Sequence, residues 1–261
     1  MTNIGIIAGS GFYEIEEIEI KELKKVTTPY GEPSDLYRLG EMSGKGVVFL
    51  SRHGTPHQIP PHRINYRANI WGFRELGVER ILSVNAVGGI NRKLGPGDIV
   101  ILDQIIDMTH GRISTFHDGN EVIHIDFTHP FCSELRDTLI TSGRKLKTLQ
   151  GEHGTYICVN GPRLESKAEI QCFSSMGADI VGMTVMPEAP LARELEICFA
   201  GIAVVTNYAA GIRDKRLTAT EVVETMKTSK ERLKDLLTET LKLIPEVRKC
   251  SCQHALKDAR M

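Results

Sequence analysis

Short apolar runs rich in β-branched residues recur along the chain, at residues 4–8, 47–50, 81–84, 99–102, 156–159, 180–183 and 202–205. Most are apolar nearly throughout rather than alternating, the pattern of strands covered on both faces. Helical spacing fills several intervals between them. Ile64, Ala68 and Trp71 share a face before Gly77, and Leu135, Leu139 and Leu146 share one after Ser133, which reads as a cap. Leu164, Ala168 and Phe173 follow Gly161-Pro162, and Pro187 opens a segment bearing Leu191 and Leu195. The last helix is the clearest. Thr218 and Glu221 have capping-box spacing, and Val222, Met226, Leu233, Leu237, Leu241 and Ile244 form one stripe up to Pro245. This alternation predicts an α/β fold: a single domain over residues 1–245 with a central mixed, largely parallel sheet flanked by helices. Residues 246–261 read as a polar tail that frays from the domain.

With 32 basic against 33 acidic side chains and a net charge of −1, no global field favours nucleic acid or an anionic membrane. The apolar runs are far too short to span a bilayer, and residues 4–8 run into glycines without the pattern of an export leader. A soluble, cytoplasmic protein is expected. Cys132, Cys158, Cys172 and Cys198 sit singly among apolar neighbours and read as buried free thiols. Cys250-Ser251-Cys252 lies in the polar tail. As a metal half-site it lacks a second half; a reduced pair outside the core is expected, with a redox pair as the alternative, and no metal site is expected elsewhere. The charged residues 21–25 and 213–216 are expected as solvated faces.

Chemistry-bearing residues collect where the apolar runs end. Gly9-Ser10-Gly11 follows the first run and offers backbone N–H groups and a hydroxyl to an anion. It lacks the third glycine of a dinucleotide fingerprint and the Gly-Lys-Ser/Thr of a P-loop, and it does not match Gly-x-Ser-x-Gly. Ser51-Arg52-His53-Gly54-Thr55-Pro56-His57 follows the second, where Arg52, bidentately, and His53 can donate to an oxyanion. Prolines 56, 60 and 61 argue against a metal held by His53, His57 and His62. Further clusters are Asn85-Ala86-Val87-Gly88-Gly89, Asn160-Gly161-Pro162-Arg163-Leu164-Glu165, Met183-Thr184 and Thr206-Asn207-Tyr208. Polar groups at strand ends are where open α/β sheets bind ligands. The residues themselves point to a small-molecule enzyme with an anion subsite and an amide-plus-carboxylate subsite.

From about Ile4 to Ile244 the chain resembles the purine nucleoside phosphorylase superfamily, trimeric branch, and most closely its methylthioadenosine/methylthioinosine phosphorylases. The resemblance rests on residues 6–11, 51–54, 65–71, 85–88, 95–100, Gly161-Pro162-Arg163 and Met183-Thr184, in order and at family-like spacing. It implies cleavage of a purine (thio)nucleoside by inorganic phosphate, with no metal or organic cofactor. It also implies a homotrimer or hexamer. Ser10, Arg52, His53, Asn85, Ala86 through its N–H, and Thr184 would hold phosphate. Met183 would lie under the sugar, and His57 near its 5′ end from a neighbouring subunit.

Two departures bear on the base. Family enzymes for 6-aminopurines carry an Asp-x-Asp pair where this chain has Asn207 and Ala209. Asparagine can accept from a protonated N7 with its carbonyl and donate to O6 with its amide. Glu165 follows Leu164 where 6-oxopurine enzymes have Phe-Glu, and a glutamate there can accept from a purine N1–H. Both point to a 6-oxopurine, with Asn207, Glu165 and His53 as the catalytic set. At the 5′ end, Ala219 stands where ordinary nucleoside phosphorylases have histidine, with Leu217, Val222 and Val223 nearby. An apolar wall favours methylthio over hydroxyl, and hence S-methyl-5'-thioinosine. The alternatives are methylthioadenosine, inosine or guanosine as substrate, a hydrolase, or a binding protein without catalysis.

Overall fold

The computed structural model describes residues 3–9, 11–12, 18–214 and 217–261. The elements in chain order are β1 (Asn3–Ala8), β2 (Glu19–Lys24), β3 (Tyr37–Met42), β4 (Lys45–Ser51), α1 (Tyr66–Glu75), β5 (Val78–Gly89) and β6 (Ile99–Asp107). They continue with α2 (Ser133–Leu146), β7 (Leu149–Cys158), α3 (Lys167–Ser175), β8 (Ile180–Gly182), α4 (Val185–Glu194), β9 (Cys198–Tyr208) and α5 (Ala219–Leu243). All the apolar runs fall within or overlap strands. The strands form a nine-stranded mixed sheet in the order β2-β3-β4-β1-β5-β8-β7-β6-β9, and β5 also pairs with β9. That extra pairing closes β5, β8, β7, β6 and β9 into a ring.

The alternation inside β1 shows why its run is apolar throughout. Ile4, Ile6 and Ala8 belong to a core with Leu135, Leu139, Leu233, Leu237 and Leu241 from α2 and α5. Ile7 belongs to the opposite core, with Ile70 and Phe73 of α1 and Val185, Ala189 and Leu191 of α4. Helices on both faces cover the alternating side chains of β1, so both sets are apolar.

β2 and β3 lie outside the apolar runs. All of β2 is exposed, Lys21 pairs with Glu41 of β3 at 2.8 Å, and the solvated face expected near residues 21–25 is an edge strand. Cys132, not Ser133, is the N-cap of α2 and makes no side-chain cap bond. The expected cap of α5 forms, with Thr218 Oγ1 accepting from the Glu221 N–H.

The tail is packed, not frayed. Ser251–His254 form a 3-10 turn, Cys250, Cys252 and Ala259 are buried, and the His124 N–H donates to the Ala259 carbonyl at 2.8 Å. Apolar content, not tail position, decides the matter: Cys250 and Cys252 join the α2/α5 core. Cys172, by contrast, is exposed on α3 rather than buried. Among the described residues no helix is long and apolar enough to cross a membrane.

Candidate active site

Three parallel pairings and one reversal bring the clusters together. β1 runs parallel to β4 and β5, and β5 parallel to β9, so Gly9, Arg52, Asn85 and Asn207 emerge at the same end. β1 stops opposite Val84, and β8 rejoins β5 only at Gly88. The edge of β5 between those points, including Ala86, is left open beside a cavity of about 390 Å³. Its lining includes Arg52, His53, His57, Asn85, Ala86, Leu164, Glu165, Met183, Thr184, Asn207 and Val222. A larger groove of about 600 Å³ lies at the other ends of β1 and β5, around Gly44–Gly46 and Arg80. It lacks such a convergence of amide, hydroxyl, imidazole and carboxylate groups, and size alone does not make it the site.

Arg52 is 1% exposed and Glu188, on α4, is 0% exposed. Arg52 Nε and Nη2 donate to the two Glu188 oxygens at 2.5 and 3.0 Å; Nη2 also donates to Ser83 Oγ at 2.7 Å and Nη1 to the Val84 carbonyl at 3.0 Å. The bidentate face expected to grip an anion is therefore spent on Glu188. One Nη1 hydrogen remains for a ligand. It faces Gly9: a Cβ built there would lie 3.1 Å from Arg52 Nη1 and 3.1 Å from His53 Nε2. Glycine keeps this approach open.

His53 Nδ1 lies 2.8 Å from the Ile59 carbonyl. A carbonyl only accepts, so Nδ1 carries the proton and Nε2 presents a lone pair. Burial, reinforced by the Arg52 charge, holds the imidazole from its ordinary 6.5 down to about 3. His53 is thus a neutral acceptor for an acidic P–OH group, not the second donor expected. His57 stacks on it with ring centroids 4.3 Å apart.

A stability consequence follows. Between pH 6.5 and 3 the unfolded chain binds a proton that folded His53 refuses, so stability falls as pH drops through that window. At ~1.4 kcal/mol per pH unit this reaches about 5 kcal/mol. Acid titration of unfolding free energy should show a shallower loss in His53→Gln than in the parent. Equal slopes would contradict the burial argument.

Asn85 is turned inward. Its Nδ2 donates to the Ser83 carbonyl at 3.0 Å, and its Oδ1 accepts from Thr184 Oγ1 at 3.2 Å. Asn85 orients Thr184 rather than reaching into the cavity with its own amide. Arg112, which the sequence reading missed, donates to the carbonyls of Met183 at 2.7 Å, Met186 at 2.6 Å and Asn160 at 2.9 Å. It fixes the backbone of the Met183-Thr184 turn.

At the other end, Asn207 Oδ1 accepts from the Thr206 hydroxyl at 2.9 Å, and its Nδ2 donates to the Tyr208 carbonyl at 2.9 Å. Each end of the amide keeps one further bonding position, and its orientation is set. Burial raises the Glu165 carboxyl above its ordinary value, with Glu169 adding to the effect. Arg163 does not neutralise Glu165 by pairing, because it forks onto Glu169 at 2.8 and 2.7 Å. Leu164 is 46% exposed at the cavity.

Not every expected residue reaches the cavity. Ala209 is buried among Ile90, Ile157, Phe173 and Val181, behind Gly88, and does not line it. Ala209→Asp would bury a carboxylate in that apolar cluster. It should lower unfolding free energy by roughly 3 kcal/mol or more in denaturant titrations. Ala219 is the first residue of α5, but its side chain, like the whole of Ser10, lies outside the described residues.

An α/β scaffold that presents one guanidinium hydrogen and a neutral imidazole at one end of a strand-end cavity, and an oriented amide and carboxylate at the other, defines an enzyme acting on a small molecule together with an anion. The Phosphorylase superfamily matches residues 3–242, and the chain belongs to that superfamily. A probable S-methyl-5'-thioinosine phosphorylase of Thermodesulfovibrio yellowstonii is 55% identical over 257 residues, 98% of this chain and 96% of its own. A 6-oxopurine nucleoside phosphorylase of Pyrococcus furiosus is 50% identical over 266 residues, 99% of each chain. Among solved structures, the methylthioadenosine phosphorylase of Schistosoma mansoni in complex with adenine is similar with a TM-score of 0.95 at 32% identity. That similarity covers 100% of this chain and 99% of the other. The family expected from the sequence motifs is borne out, and with it the α/β fold.

Proposed function

We propose that the protein cleaves the N-glycosidic bond of 6-oxopurine (thio)nucleosides with inorganic phosphate. S-methyl-5'-thioinosine is the preferred substrate, giving hypoxanthine and S-methyl-5-thioribose 1-phosphate. The observation that carries this reading is the pre-oriented Asn207 amide in the same cavity lining as Glu165, with no aspartate at 207 or 209. The names of the relatives at 55% and 50% identity support the same base class.

Phosphate sits between the Arg52 Nη1 hydrogen, His53 Nε2, the Thr184 hydroxyl and the open edge at Ala86, with Ser10 completing the anion subsite. His53 Nε2 accepts a hydrogen bond from the phosphate's own P–OH, which turns a charged oxygen toward the anomeric carbon. The anion both attacks and stabilises the developing oxocarbenium charge. As the C–N bond breaks, negative charge gathers on the purine. Asn207 donates its amide hydrogen to O6 and accepts from protonated N7, while Glu165 accepts from N1–H. Met183 underlies the sugar. Val222 gives the cavity an apolar surface that suits a methylthio group over a hydroxyl, while Leu164 lies beside Glu165 toward the base. Phosphate is the co-substrate, and no metal or organic cofactor enters the reaction. The working form is a cytoplasmic homotrimer or hexamer, with His57 extending toward a neighbouring subunit's sugar site.

Base release from methylthioinosine, inosine and methylthioadenosine, each with and without phosphate, tests the reading. The expected result is phosphate-dependent hypoxanthine release, fastest from methylthioinosine. Faster release from inosine removes the apolar-wall argument, and adenine release removes the 6-oxopurine assignment. Phosphate-independent release makes it a hydrolase, and no release makes it a binding protein.

A further inference from the structure

The half-site that the sequence leaves alone in its tail acquires a second half in the fold. Cys132 caps α2, Cys198 begins β9, Cys250 caps the 3-10 turn of the tail and Cys252 lies within it. Their four sulfur atoms all lie within 4.8 Å of one another. Exposure of the four residues is 1, 0, 9 and 4%, and all are free thiols. Cys198 Sγ and Cys250 Sγ are 3.3 Å apart, well beyond the ~2.05 Å of a disulfide.

We propose that these four cysteines form a structural tetrathiolate site for a soft divalent metal, zinc by preference, which clamps the C-terminal segment to the domain. Four ligands at ~2.3 Å around a tetrahedral zinc stand about 3.8 Å apart, a spacing the cluster reaches with sub-ångström adjustment. Four sulfurs with no oxygen or nitrogen ligand select zinc over hard cations, and a closed four-ligand set leaves no position for substrate or water. Zinc binding displaces the thiol protons into solvent. An access path exists, since a groove lined by Glu134, Asp137, Lys249 and Cys250 opens onto the cluster.

The cluster is remote from the chemistry. Cys198 and Asn207 sit at opposite ends of β9, roughly 30 Å apart at ~3.3 Å per residue. The metal therefore holds structure and does not serve the reaction.

The test uses the full chain, purified without chelator from zinc-containing medium. Metal content is measured per chain, together with intact mass after alkylation under denaturing, non-reducing conditions. The expected result is about one zinc per chain with all six cysteines alkylated once the metal is stripped. Cobalt substitution should give the intense visible bands of a tetrahedral sulfur site. Cys252→Ser should retain at least tenfold less metal and melt earlier, while Cys172→Ser, which alters the exposed cysteine, should bind metal as the parent does. A metal-free chain overturns the proposal in either form: with four thiols paired as two disulfides, or with all six thiols free.

Discussion

Glu188→Gln is expected to cost about 3–5 kcal/mol of folding stability, because it strips the counter-charge from an almost fully buried guanidinium. Arg52 is 1% exposed and donates two of its hydrogen bonds to Glu188. For a chain of this size that corresponds to a fall in thermal midpoint of roughly 6–20 °C. Phosphate should then stabilise the variant more than the parent, since the anion becomes the only available counter-charge for Arg52. Thermal melts with and without millimolar phosphate measure both effects. An equal phosphate shift in the two proteins would show that Arg52 does not face the anion. The variant should also lose phosphorolysis by at least about a hundredfold, because Arg52 and Ser83 share Glu188 as their anchor.

Asn207→Ala carries the second large effect. If the amide stabilises charge on the departing purine, turnover should fall by roughly two to four orders of magnitude. That is ~3–5 kcal/mol of transition-state stabilisation. Steady-state kcat and KM for hypoxanthine release separate the two roles of the side chain. A raised KM with unchanged kcat would assign Asn207 to ground-state binding and remove it from catalysis. Asn207→Asp is the informative specificity variant. Pairing it with Ala209→Asp would confound specificity with the destabilisation argued above, because position 209 faces the core rather than the base.

The strands were legible because both faces of the sheet are covered, so periodicity and burial agree. β2 was not, since its sequence, Glu19 to Lys24, is that of a solvated segment and its pairing comes only from β3. The cavity lining was legible wherever a polar group closes an apolar run, as at Arg52-His53, Met183-Thr184 and Thr206-Asn207. What the sequence could not convey is which bonds each group spends inside the protein. Arg52 looked like a free anion fork until Glu188 was found occupying it. The signal for Glu188 was present, an acid alone in the apolar stretch from Val185 to Ala192, and a solitary carboxylate in such a stretch implies a buried partner. Arg112 gave no such signal, because its partners are main-chain carbonyls. The cysteine cluster was hidden for a topological reason: its halves are 52 residues apart at their nearest, from Cys198 to Cys250.

The closure of β5, β8, β7, β6 and β9 into a ring bears on how copies of this chain can associate. Ring closure removes the free edge that the sheet would otherwise present on that side. Among the described strands, the remaining edge is β2, fully exposed and studded with Glu19, Lys21, Glu22 and Lys24. Charged side chains along an edge repel a docking backbone. Self-association by sheet extension is thus closed off at one side by geometry and at the other by charge. Any copies of this chain that associate would meet through helical faces and loops, the surfaces that also frame the cavity mouth.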